Sequence, residues 1–200
     1  MKEEFLQYIS AERRYSPRTC AIYREVLDAF YHYAYPQDDV LTVQQELDAL
    51  TFSSIRGFVA FSMDDGLSSR TVNLRLSALS SYCSWLVRRS LLSSNPVRRI
   101  ARPRESRRLP EFFSELALEH FFDSKGLDGS GKASGKMTLH EYRNAVMLLV
   151  LYATGMRRSE IVSLRRSDFD PSRRVFTVLG KGDKMREIPV PVSVCKEILL

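Results

Sequence analysis

Ala153-Thr154-Gly155-Met156-Arg157-Arg158-Ser159-Glu160-Ile161-Val162-Ser163-Leu164 is followed by Leu179-Gly180-Lys181-Gly182-Asp183-Lys184-Met185-Arg186-Glu187-Ile188-Pro189. The first segment ends an apolar helical run at Thr154-Gly155, where glycine is free to take the left-handed C-cap conformation. The chain then restarts with Ile161 and Leu164 pointing inward, which holds Arg157 on rigid backbone at a helix junction and leaves Arg158 on the outer face. In the second segment, Arg174 to Leu179 and Met185 to Val190 alternate and are apolar or β-branched enough for two strands around Gly180-Lys181-Gly182-Asp183. Arginine presents a permanently charged planar fork that matches phosphate oxygens, whereas lysine is a mobile point charge that can also release a proton. Arg157 and Lys181 together have the character of half a phosphoryl-transfer site, although Arg157 alone is equally suited to capping carbonyls or pairing with Glu160.

Working outward, a strongly apolar helix covers Leu139 to Thr154, and a second domain begins at Leu109-Pro110-Glu111-Phe112-Phe113, with a helix from about Ser114 to Asp123. Between them, Gly126 to Ala133 nearly spells a phosphate loop, but a helix precedes it and Ala133 stands where a hydroxyl should reach magnesium. A flexible insertion near 125–136 is the better reading. Val192 to Leu200 starts another apolar helix, expected to expose Ile198, Leu199 and Leu200.

Up to about residue 100 the pattern is helical. Phe5, Leu6, Tyr8 and Ile9 make a first stretch; Ser16-Pro17 reads as an N-cap followed by proline at the first helical position, opening a helix through Tyr31. Phe52 to Met63 is a third, capped by Ser53 and stopped at Asp64-Asp65-Gly66. Ser68 or Ser69 caps a fourth, whose Val72, Leu74, Leu76, Leu79, Tyr82, Trp85 and Leu86 form a broad buried stripe, and Asn95-Pro96 ends it. The fold expected is mainly α: a four-helix bundle over 1–100, a basic linker at 101–109, and a partial mixed α/β domain over 110–200 with a small β-hairpin or sheet.

With 44% hydrophobic and 27% charged residues, the chain has ample material for packed cores, so disorder is not the default. Cys20, Cys83 and Cys195 lie far apart with no C-x-x-C pair, which argues against a disulfide framework or zinc site and fits a reducing cytoplasm. No apolar signal region opens the chain, and the longest apolar run, Ala145 to Ala153, is too short to span a bilayer. The net charge of +6 is concentrated: Val97 to Arg108 carries six arginines against Glu105, and Arg157 to Arg186 carries nine basic residues against four acidic ones. Each segment is thus +5 on an otherwise slightly acidic body, the footprint of a polyanion partner more than of a uniformly solvated surface.

The chain resembles the tyrosine recombinases of the phage-integrase family, bacterial Xer type, over almost its full length. Ser68-Ser69-Arg70-Thr71-Val72-Asn73-Leu74-Arg75-Leu76-Ser77-Ala78-Leu79, with the later Asn95-Pro96, is similar to the last helix of that family's core-binding, SAM-like domain. Leu109-Pro110-Glu111-Phe112-Phe113-Ser114 resembles the entry to its catalytic domain, Ala153 to Glu160 its first catalytic-arginine box, and Gly180 to Arg186 its catalytic-lysine hairpin. The resemblance implies that a tyrosine attacks a DNA phosphate, giving a phosphotyrosyl intermediate and a free 5′-hydroxyl, with neither metal nor other cofactor. It implies catalytic roles for Arg157, on the nonbridging oxygens, and Lys181, as proton donor to the leaving oxygen. It implies double-stranded DNA contacts for Arg18, Arg70, Asn73, Arg75, Arg102, Arg104, Arg107, Arg108, Lys184 and Arg186. Partner protomers, a tetramer on DNA and a bacterial cytoplasmic or nucleoid location are implied as well, with no membrane role.

The family pattern also calls for a later His-x-x-Arg box and the nucleophilic tyrosine. No histidine follows His140 and no tyrosine follows Tyr152. The expectation is therefore an amino-terminal, incomplete form that binds DNA and is inactive alone; a noncatalytic relative that occupies recombination sites or pairs with a full-length enzyme is the alternative.

Overall fold

The computed structural model describes residues 1–38, 40–106, 109, 111–127, 138–180 and 184–199. The chain divides into two compact units, Met1–Arg108 and Leu109–Leu200. Among the described residues, no helix is long and apolar enough to cross a membrane.

The first unit contains α1 (Lys2–Ala11), α2 (Pro17–Ala34), α3 (Val43–Asp48), α4 (Phe52–Asp64) and α5 (Ser69–Arg88), then one 3-10 turn at Pro96–Arg99. The N-caps follow the hydroxyl rule: Ser16, Thr42, Thr51 and Ser68 each accept from the backbone N–H three residues on, satisfying a donor that the first turn leaves open. Helix α5 is central because its apolar positions recur on one face, and Val72, Leu76, Leu79, Tyr82, Cys83 and Leu86 are each at most 1% exposed. Phe5 of α1 sits between two of its rings, with centroids 5.1 Å from Tyr82 and 5.7 Å from Trp85. These separations suit edge and offset aromatic packing.

Four details differ from the expectations drawn from sequence. Leu74, placed in the buried stripe, is 44% exposed, because it lies outside the helical core on the flank of α5 that lines a surface groove with Asn73, Ser77, Arg102 and Glu105. Helix α5 stops at Arg88, before Asn95-Pro96, and Ser90 takes a positive φ of 59° just beyond it. Thr51, not Ser53, caps α4. Helix α3 has no counterpart among the expected helices, being only six residues long and without a buried side chain of its own. It supplies Glu46, whose Oε2 accepts from the buried Tyr82 hydroxyl at 3.2 Å and from Lys2 N–H at 3.1 Å. Tyr82 Oη in turn lies 3.3 Å from Tyr31 Oη, so two buried phenols are satisfied locally, and burial raises the pKa of both.

The second unit contains α6 (Glu115–Ser124), α7 (Leu139–Thr154), α8 (Arg158–Ser163), strands β1 (Phe169–Asp170), β2 (Val175–Leu179) and β3 (Met185–Pro189), and α9 (Val192–Ile198). The three strands are antiparallel in the order β1-β2-β3, with Phe169 opposite Phe176 and Val178 opposite Arg186. The two-residue β1 is an addition to the expected hairpin, because nothing in Phe169-Asp170 is long enough to show alternation. Val150, Phe176, Val178, Ile188, Val190 and Val194 make the core between sheet and helices. Leu199 is 62% exposed, but Ile198 packs against that core and so departs from its expected exposure. Leu200 and the greater part of the expected insertion, residues 128–136, lie outside the described residues.

Because Leu79 and Leu74 share one helix but not one environment, they give a matched test. Leu79→Ala should destabilise the first unit by about 2–5 kcal/mol through a cavity, while Leu74→Ala should stay within about 0.5 kcal/mol. Denaturant unfolding of both variants, followed by tryptophan fluorescence at Trp85, checks the pair.

Candidate active site

The site in the second unit is built on the junction of α7 and α8. Gly155 closes α7 with φ 61° and ψ 23°, a left-handed conformation that a side chain would strain. Met156 then plugs the core at 5% exposure, and Arg157 takes extended backbone as the N-cap of α8. Three residues on, Glu160 reaches back: its Oε2 accepts from the Arg157 backbone N–H at 2.7 Å, and its Oε1 accepts from Arg157 Nη1 at 2.8 Å. The first of these bonds is the carboxylate half of a capping box, and with the second it aligns the arginine at both backbone and guanidinium.

Glu160 is only 4% exposed, so its charge needs donors from the protein. A second guanidinium provides one: Arg186 Nη2, from β3, donates to Glu160 Oε2 at 3.0 Å. The carboxyl is held below the usual carboxylate range, first by the Arg157 backbone N–H, with burial opposing, and then by the Arg157 guanidinium and the charge of Arg186. The hairpin root is close by: a Cβ on Gly180 would lie 4.0 Å from Glu160 Oε1, and Gly180 N–H closes the hairpin on Lys184 O at 2.8 Å. The structure thus brings Arg157, Glu160, Arg186 and the base of the Lys181 hairpin together. Lys181 itself lies outside the described residues. The Arg157 side chain is 57% exposed, and among the described residues its guanidinium hydrogen-bonds Glu160 alone.

The other candidates fall into three groups. Arg18 and Arg70 are exposed at the second helical positions of α2 and α5, behind matching Ser-x-Arg-Thr caps in which Ser16 and Ser68 each accept from the following threonine N–H at 3.2 Å. Arg75, by contrast, is half-buried, stacked 5.2 Å from the Phe58 ring centroid and donating to Ser62 Oγ at 2.8 Å. Its guanidinium is engaged within the unit. Asn73 and Arg102 meet each other: Arg102 Nη1 donates to Asn73 O and Ser77 Oγ, while Asn73 Nδ2 donates to Pro103 O and Glu105 Oε1. The first residues of the basic segment are therefore strapped along α5 rather than free, an arrangement that composition could not show. Arg104 and Lys184 are exposed, and Arg107 and Arg108 lie outside the described residues. Arg24 makes a two-pronged pair with Glu3 of α1.

Two family models match the chain in order: the phage integrase N-terminal SAM-like domain over residues 3–90 and the phage integrase family over residues 132–199. The chain belongs to the phage integrase family. Among its curated relatives, the tyrosine recombinase XerC of Bacillus licheniformis is 32% identical over 185 residues, which is 92% of this chain and 56% of that protein. XerC of Escherichia coli O1:K1 / APEC is 32% identical over 188 residues, 94% of this chain and 58% of that protein. This integrase-family chain thus spans a little over half the length of the relatives it matches. Its fold is shared with the Tn1549 transposon integrase, solved in complex with a circular intermediate DNA (TM-score 0.67, 17% identity, 99% of this chain and 63% of that one). It is shared likewise with a lambda integrase dimer bound to a COC' core site (TM-score 0.61, 16% identity, 94% of this chain and 60% of that one).

Because the folded pKa of Glu160 is depressed, its charge stabilises the second unit at pH above the unfolded carboxylate value of about 4.3, and that stabilisation is lost as pH falls through the lower folded value. Thermal melts across acid pH should therefore show a steeper loss of stability for the wild type than for Glu160→Gln, the two curves converging at the acid end.

Proposed function

We propose that the chain serves site-specific DNA recombination, contributing a helical DNA clamp over 1–100, a basic segment over 101–109, and the first half of a catalytic domain over 110–200. The observation that carries this reading is the Arg157 guanidinium, fixed at a helix junction by a buried carboxylate and adjoining the root of a lysine-bearing hairpin. Membership of the integrase family supports the same assignment.

In this reading Arg157 hydrogen-bonds a nonbridging oxygen of the scissile phosphate, where negative charge grows as the phosphorus is attacked. Lys181 delivers a proton to the departing 5′ oxygen. Both roles are electrostatic and proton-transfer roles, which suits a cation fork and a titratable amine respectively. Duplex DNA is the partner, with Arg18, Arg70, Arg104 and Lys184 on the phosphate backbone, where contacts fix register but carry no base information. Other protomers of the family join it on DNA. The chain's location is the cytoplasm, where its substrate is found.

The nucleophile is a separate matter. The nine tyrosines of the chain all precede Arg157, and no His-x-x-Arg follows His140. The described ones sit largely within helices, several packed in the aromatic core. The 200-residue chain therefore binds and positions DNA without cutting it.

Two outcomes follow. Duplex affinity in a mobility-shift titration should fall steeply with salt, on the order of 10³-fold between about 50 and 200 mM if about six phosphates are neutralised. Substituting Arg104, Arg107 and Arg108 by glutamine should flatten the log–log slope by up to about 0.9 for each phosphate that no longer meets a cation. A salt-insensitive affinity would contradict a DNA clamp. With a nicked suicide duplex, no protein–DNA adduct should survive a denaturing gel, and an adduct would place a nucleophile among these residues.

A further inference from the structure

Arg186 follows the lysine hairpin and lies in a +5 stretch, so charge alone assigns it to the DNA backbone. Its place in the sheet points elsewhere. Residues alternate sides along a strand, so Arg186 and Ile188 leave β3 on one side while Met185 and Glu187 leave it on the other. Ile188 is a core residue, 7% exposed, and the residue directly across from Arg186 on β2 is Val178, 4% exposed. Arg186 therefore springs from the core-facing side of the strand, at its edge, and its Nη2 ends on the nearly buried Glu160 at 3.0 Å.

The charge balance at that carboxylate shows what the interaction does. Arg157 and Glu160 alone would form a neutral pair, and a phosphate would have to compete with Glu160 for the only cation. With Arg186 present, the three groups carry one net positive charge. Glu160 divides its donors so that Oε1 holds Arg157 Nη1 while Oε2 holds the Arg157 backbone N–H and Arg186 Nη2. Arg157 thus commits one terminal nitrogen to orientation and keeps the rest of its five-donor fork. The same ion pair joins β3 to the α8 junction directly beneath Gly180, where the hairpin closes on Lys184 O.

We propose that Arg186 is a positioning residue for the Arg157 phosphate site and not a phosphate ligand: by neutralising Glu160 from β3 it leaves Arg157 its positive charge for a phosphate oxygen and ties the root of the lysine hairpin to the arginine box. This rests on the reading of Arg157 as a phosphate ligand. A positioning role acts through Glu160, so its effect must vanish when Glu160 carries no charge. A direct bond to phosphate has no such dependence.

The test is a double-mutant cycle on the 200-residue chain with Arg186→Gln, Glu160→Gln and the double variant, read by duplex affinity at fixed low salt and by carboxyl NMR titration of Glu160 without DNA. Arg186→Gln should weaken duplex binding by about tenfold in the wild-type background and by less than about twofold in the Glu160→Gln background. Arg186→Lys should restore most of the affinity, and Arg186→Gln should move the Glu160 titration midpoint upward. Equal weakening in the two backgrounds, or an unmoved midpoint, would overturn the proposal. The two readouts separate this proposal from the reading beneath it. If the wild-type chain binds duplex without salt dependence, the DNA reading fails, while the titration alone still decides whether Arg186 serves Glu160.

Discussion

A carboxylate that is 4% exposed cannot remain charged without donors around it, and Glu160 meets that requirement from the start of its own helix and from one strand distant in sequence. Arg157 approaches from the N-cap of its own helix, and Arg186 from a strand 26 residues on. Helix α8 has only six residues and β3 five, so neither is long enough to define the other's position by packing alone. The ion cluster supplies the missing constraint. It explains why a sheet of three short strands can carry a hairpin whose root stays beside the arginine box.

The first unit meets a different demand with different means. Its four longer helices bury aromatic rings from α1, α2, α4 and α5, and the two buried phenols at its centre are satisfied by Glu46 from α3 and by each other. Nothing in that core is catalytic chemistry. Its product is a rigid frame from which the N-terminal ends of α2 and α5 present Arg18 and Arg70 behind identical Ser-x-Arg-Thr caps. Under the proposed DNA-binding role, a fixed backbone matters there because a phosphate contact fixes register only if its donor is held in place. The strap of Arg102, Pro103 and Glu105 along α5 extends that frame into the basic segment.

Much of this is legible in the residues themselves. The Ser16-Pro17 start, the Gly155 stop and the two strands around Gly180 each rest on local chemistry, and local chemistry is what a sequence states most directly. What escapes it is short or nonlocal. Helix α3 and strand β1 are too brief for a period to emerge; α3 is tied through Glu46 to Tyr82, 36 residues on, and β1 is defined only by its pairing with β2, Phe169 against Phe176. The candidate site divides in the same way. Arg157 can be singled out from its own helix junction, and its pairing with Glu160 is one of two plain alternatives there. That Arg186 shares the same carboxylate cannot be seen, because charge pattern records how many cations a segment has and not which of them face inward. Strand parity holds the clue: Arg186 is in phase with Ile188.

Residue-resolved hydrogen exchange on Glu160→Ala tests most directly whether one carboxylate holds the arginine box and the hairpin together. The Arg157 amide donates to Glu160 and the Gly180 amide closes the hairpin beside it. If Glu160 is the common anchor, both amides should lose protection together while the interior of α7 around Val150 keeps its own. Unchanged protection at Gly180, with only Arg157 affected, would show that the hairpin stands without the cluster and would contradict its central place.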